Sequence, residues 1–233
     1  KIDKVIIDKY FGFSFFEIDD YTSHNFKSLK FILFKNELEN VTLKINQKNL
    51  YNLELQRKNK LEGLSEKVEK FSRASLNYNQ RDFKIKLRVK GDRPLHWYDR
   101  DQTSYRIDLR GDDRIWGLEE FSVQKPITRN YIYEYIFHKF LETNQLIALK
   151  YFFINLSLND NKQGIYAVEE GFSKELIERN KKRNGPIFGV DELISSNYPK
   201  IEYDLYSTNY WESNHSALIK NAYIKLEEIK NKK

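Results

Sequence analysis

The chain has neither cysteine nor methionine among its 233 residues. Without cysteine there is no disulfide, no thiolate zinc site and no thiol nucleophile, and both sides of a membrane stay open as compartments. A start at Lys1 with no methionine anywhere is expected of a fragment, or of a sequence from which modified methionines were dropped. No apolar run reaches the roughly 20 residues of a membrane-spanning helix. The densest, Tyr151 to Leu158, is strand-sized and interrupted by Asn155 and Ser157. No signal segment, internal repeat or low-complexity tract is visible.

An apolar content of 40%, with 15% aromatic residues, is enough for a real core. Lys and Arg number 40 against 34 Asp and Glu, a formal charge of +6. That balance attracts phosphates or acidic partners mildly. The signs are interspersed and part of the excess sits in Lys230, Lys232 and Lys233, so no nucleic-acid partner is expected.

Along the chain, Phe31 to Phe34 and Val41 to Ile45 are predicted as strands, followed by an amphipathic helix from Gln47 to Leu61. A charge-mixed stretch from Glu62 to Gln80 leads to a clear strand, Phe83 to Lys90. There Phe83, Ile85, Leu87 and Val89 face one way, and Lys84, Lys86, Arg88 and Lys90 the other. Gly91, Asp92, Arg93 and Pro94 form a turn, and Tyr105, Ile107 and Leu109 mark the next strand. After a short extended piece, Phe121 to Gln124, Thr128 is placed to cap a helix from Arg129 to Leu141 with Ile132, Ile136 and Phe140 on one stripe. Tyr151 to Leu158 and Gly164 to Val168 read as a hairpin joined by Asn159 to Gln163. Ser173 caps a helix through Arg179, and a final amphipathic helix begins near Ser213.

The order from Arg88 to Glu170 is strand, glycine turn, basic strand, acidic helix, hairpin and acidic break. Phosphoryl transfer needs a turn over the phosphates, a strand cation on their oxygens and a carboxylate steadying that cation. Gly91, Arg106 and Glu134 stand in position for those parts. The plainer reading is an ordinary turn at Gly91 and an ion pair or two solvated charges at Arg106 and Glu134. His24, His96, His138 and His215 lack ligand spacing, so no metal site is expected. Trp97 and Tyr98 read as a cover over the core, and Lys181 to Arg183 as a solvated helix end.

The literal residues add a resemblance. Lys86 to Asp92 (KLRVKGD), Ser104 to Ile107 (SYRI), Gly117 to Pro126 (GLEEFSVQKP), Arg129, Glu134, the strand Tyr151 to Asn159, Gly164 to Glu170 (GIYAVEE), Glu178 to Asn180 (ERN) and Gly185 to Ile187 (GPI) together resemble the bacterial CotH family of spore-coat protein kinases. The likeness covers about Lys84 to Glu192. It implies an atypical protein kinase that uses ATP and Mg2+ to phosphorylate Ser and Thr hydroxyls of a protein. By position, Lys90, Gly91 and Asp92 correspond to the phosphate-covering turn, Arg106 to the strand cation and Glu134 to its helix partner. Glu169 and Glu170 correspond to the hinge beside adenine, and Arg88 joins the nucleotide-binding set. Two departures stand out: Gln102 and Thr103 replace an expected lysine, and no Trp-Asp or Phe-Asp strand end follows Glu192. The catalytic carboxylates are therefore expected beyond Lys233, and this segment is expected to be inactive alone.

The expected fold is α+β: a kinase-like N-lobe of antiparallel sheet plus helix over residues 63–170, a β-rich accessory unit at 1–62, and a hinge with the first helices of an incomplete C-lobe at 171–233. The alternative function is a non-catalytic coat or envelope assembly scaffold, and a third reading is nucleic-acid binding through the Lys84, Lys86, Arg88 face, which the basic charge balance permits but no recognition motif supports.

Overall fold

The structure, a computed structural model, describes residues 13–15, 32–34, 38–63, 70–91, 93–98, 103–190 and 203–231. Contacts group the chain into two units, Lys1–Gly171 and Phe172–Lys233. In the first, β1 (Phe13–Phe15) and β2 (Ile32–Phe34) form a short antiparallel ladder.

Seven further strands close into a barrel. They are β3 (Glu39–Lys44), β4 (Ser72–Tyr78), β5 (Arg81–Val89), β6 (Tyr105–Leu109), β7 (Glu120–Gln124), β8 (Tyr151–Leu158) and β9 (Asn161–Glu170). Their order is β3-β4-β5-β6-β7-β9-β8, and a parallel ladder from β8 back to β3 closes the ring, with Val41 opposite Leu156. Every other ladder of the barrel is antiparallel.

The period of two in the sequence builds this wall. Phe83, Ile85, Leu87 and Val89 point inward and are buried, as are Leu43, Leu76, Ile107, Phe121, Ile154, Leu156 and Tyr166. The lumen is thus a packed core. Helix α1 (Gln47–Leu61), N-capped by Asn46 through the Asn49 amide, adds Leu53 and Leu50 to that core. Trp97 joins it, whereas Tyr98 is exposed.

This architecture corrects the expected kinase-like N-lobe: the sheet is a closed barrel, not an open antiparallel sheet with a helix on it. The physical reason is β3. Placed by sequence in an accessory unit at 1–62, it pairs with β4 on one side and β8 on the other, removing both free edges. β4 lies inside the stretch read as charge-mixed and irregular. Its inward positions are Ser72, Ala74 and Leu76, and two of these are too small or polar to advertise a strand.

Outside the barrel, a 3-10 turn (Pro126–Arg129) leads to helix α2 (Tyr133–Thr143). Thr128 does not cap it; its hydroxyl donates to the Lys125 carbonyl at 2.6 Å. Ile132, Ile136 and Tyr135 pack on Phe153, Ala167 and Tyr151 of the wall. The second unit holds α3 (Lys174–Arg179), capped by Ser173 as expected, and an antiparallel pair β10 (Phe188–Val190) and β11 (Tyr203–Leu205). Its last element is α4 (Thr208–Asn231), kinked at His215. Leu205, Trp211 and Ile219 form its small core with Phe188. Among the described residues no helix is long and apolar enough to cross a membrane.

Candidate functional site: a buried polar cluster on the barrel wall

Strand register places Arg88, Arg106, Ser122, Glu169 and Tyr151 in one row across the outer faces of β5, β6, β7, β9 and β8. Lys90, just past β5, lies beside this row. Its Nζ donates to Glu169 Oε1 at 3.0 Å and to Gln124 Oε1 at 2.9 Å. Gln124 donates its amide to the other Glu169 oxygen, and Arg129 Nε stands 3.5 Å from that same oxygen. One carboxylate is thus held by two cations and an amide, and both Lys90 and Glu169 are largely covered, at 16% and 13% side-chain exposure.

The electrostatics follow. Burial pushes the Glu169 carboxyl up, but the charges of Lys90 and Arg129 outweigh it and hold the group at about 2. Lys90 is pulled down by burial and by the guanidiniums of Arg129 and Arg106, more than its carboxylate partner restores. His96 is pushed down to about 4, chiefly by burial and then by Lys90 and Arg129, so it is neutral at pH 7. The Tyr151 phenol is raised by burial and by Glu169 and Glu134, and stays protonated. These directions describe a covered site with more positive charge than one carboxylate balances.

Several buried polar atoms in these residues have no hydrogen-bond partner: Arg129 Nε, Tyr151 Oη, Ser104 Oγ and His96 Nδ1. Arg129 therefore meets Glu169 as a charge contact without hydrogen-bond geometry. Ser104 belongs to the same neighbourhood, since its carbonyl accepts from Lys90 N at 2.8 Å and its amide donates to the His96 carbonyl at 2.8 Å. Buried groups of this kind are costly unless something meets them.

The other residues singled out by sequence are distributed around this centre. Arg106 pairs with Glu120 at 2.7 Å and more loosely with Asp108 at 3.8 Å. Glu134 faces His138 at 3.3 Å on its own helix. The expected Arg106–Glu134 pair is therefore not formed; a lysine–carboxylate pair exists instead between Lys90 and Glu169. Gly91 has φ = 89°, and a Cβ there would lie 2.3 Å from the His96 ring. Its carbonyl is fastened by Lys60 Nζ at 3.0 Å and Trp97 Nε1 at 3.2 Å. Asp92 lies outside the described residues. Arg88 lies over the Phe71 ring at 5.6 Å. Glu170 is buried and accepts from Lys150 N at 2.7 Å, which pins the start of β8.

Gln124, Arg129, Ser104, Tyr151 and Glu120 were not singled out as site residues by sequence. Outward parity could have found Gln124, which continues the Ser122 face of β7 and is fully buried for a polar residue. Nothing in the local sequence marks Tyr151, whose position depends on the β8–β9 register. No protein-family model matches the sequence, and no curated protein matches it.

Proposed function

We propose that the outer barrel wall holds the phosphate groups of a nucleotide at Lys90 and Arg129, and that the chain is the nucleotide-holding portion of a protein kinase resembling the CotH family. The observation that carries this is the pair of cations, Lys90 and Arg129, around the largely covered Glu169 carboxylate, beside the Tyr151 O–H and Ser104 O–H, which make no hydrogen bond. A phosphate chain is matched by such fixed donors in a covered site. Glu169 has the part of the carboxylate that steadies a phosphate-binding lysine, and Gln124 fixes the other side of that lysine. Arg106, steadied by Glu120, extends the same positive face.

The residues present fit a polyphosphate. They do not fit the divalent ion that the resemblance implies, because among the described residues no three His, Asp or Glu side chains converge. No step is therefore derived through it. When bound, ATP would supply the transferable phosphoryl group; the role of this chain is to bind and orient.

Titration calorimetry with ATP, ADP, AMP and adenosine tests the reading. Affinity should fall with each phosphate removed, and Arg129→Ala should weaken ATP at least about tenfold, the loss of one charge-assisted contact. Equal affinity for ATP and adenosine, or no effect of Arg129→Ala, would overturn it.

A second reading, an assembly scaffold without catalysis, is favoured by one observation. Tyr133, Phe137 and Phe140 of α2, spaced along one helical stripe, are 68%, 52% and 57% exposed. Self-association abolished by Phe137→Ser, in a chain that binds no nucleotide, would support it.

A further inference from the structure

The outward residues of β4, β5 and β6 form a grid in which cations face one another, only part of which the fold balances. Arg73 lies opposite Lys86, and Arg88 opposite Arg106. Arg110 donates its amide to the Lys84 carbonyl at 3.0 Å, which sets those two cations side by side. Like charges facing each other across strands are destabilising. Of these, the Lys84–Arg110 juxtaposition has neither cation answered by a carboxylate among the described residues, a local conflict with stability that fits a surface shaped by something outside the fold. Asp108 answers Lys86 at 3.2 Å, and Glu120 answers Arg106. Arg73, Lys84 and Arg110 are exposed and have no carboxylate partner among the described residues.

We infer that this patch docks an acidic, extended peptide segment of a partner protein. Successive outward cations on β5 repeat every two residues, about 6.8 Å, which is the repeat of alternate carboxylates in an extended peptide. Arginine forks at Arg73 and Arg110 suit bidentate carboxylates. Single-stranded nucleic acid is the poorer fit because it needs open ring faces. Phe71, an exposed ring beside the patch, already has Lys86 Nζ over it at 4.9 Å and Arg88 at 5.6 Å. The patch does not depend on the nucleotide reading, because Arg73, Lys84 and Arg110 lie outside the Lys90–Arg129 cluster.

The test is fluorescence anisotropy at low salt with a labelled octaglutamate, alongside a labelled eight-nucleotide oligo(dT). The variants are the triple Arg73→Ser, Lys84→Ser, Arg110→Ser and the single Lys84→Gln. The docking surface predicts octaglutamate binding that the triple variant weakens at least about tenfold and Lys84→Gln about twofold to threefold. ATP binding should be unchanged and the melting temperature unchanged or raised, since repulsion is relieved. Octaglutamate binding that is undetectable, or indifferent to the triple substitution, would overturn the inference. Tighter binding of oligo(dT) than of octaglutamate would also overturn it, in favour of a nucleic-acid surface.

Discussion

Replacing Lys90 with Met removes the centre of the cluster while keeping a side chain of similar length. Glu169 would lose its 3.0 Å contact and Gln124 Oε1 its 2.9 Å donor. Breaking a buried ion pair by removing one partner costs about 3–5 kcal/mol when the remaining charge is left alone. Glu169 is not left alone: Arg129 stays at 3.5 Å and the Gln124 amide still donates to it. The expected cost is therefore about 2–3 kcal/mol, read by urea denaturation as a lower midpoint at constant slope. Adding Glu169→Gln to Lys90→Met should recover part of the loss, with a coupling energy of about 1–2 kcal/mol in the double-mutant cycle. A cost for Lys90→Met below about 0.5 kcal/mol, with no coupling, would refute the claim that this pair is a covered, mutually dependent unit.

Three further outcomes follow from the same geometry. His96, held at about 4 in the fold against the ordinary 6.5, has a depressed folded value; its contribution is full above pH 6.5 and is lost as pH falls toward 4, so His96→Gln should flatten the decline of stability across that window in pH-dependent urea melts. Gly91→Ala, with φ = 89° and a Cβ 2.3 Å from the His96 ring, should destabilise by about 2 kcal/mol or more, measured the same way. Leu43→Ala, in the barrel core at 0% exposure, should cost about 2–5 kcal/mol, as expected of a cavity on a strand that closes the barrel; a cost below 1 kcal/mol would place β3 outside a shared core.

Much of the local structure was legible from periodicity. The helix Gln47–Leu61 and the strands Tyr105–Leu109 and Tyr151–Leu158 have the expected bounds, although of the helix's marker residues Leu50 and Leu53 face the core and Leu61 is exposed. The hairpin turn is tighter than expected: Asn159 adopts φ = 51° and β9 already begins at Asn161. The closed barrel was not legible, because a parallel ladder between β3 and β8 joins residues more than a hundred positions apart and leaves no local mark. The site was half legible. Lys90 and Glu169 were both singled out, as a phosphate-covering turn and a hinge. Their partnership was not, because it arises from Lys90 and Glu169 facing outward on strands that only the register brings together. Arg106 and Glu134 were paired by analogy of order, yet Glu120 is nearer Arg106 along β7, and its alternation with Ser122 was the available clue.

The most direct measurement is the Nε–H resonance of Arg129 in a 1H–15N spectrum during titration with ATP. A phosphate seated between Lys90 and Arg129 predicts a saturable shift of that signal, tracking the calorimetric affinity and absent with adenosine. An Arg129 Nε–H signal that stays in place while ATP binds would contradict the assignment of this cluster as the phosphate site.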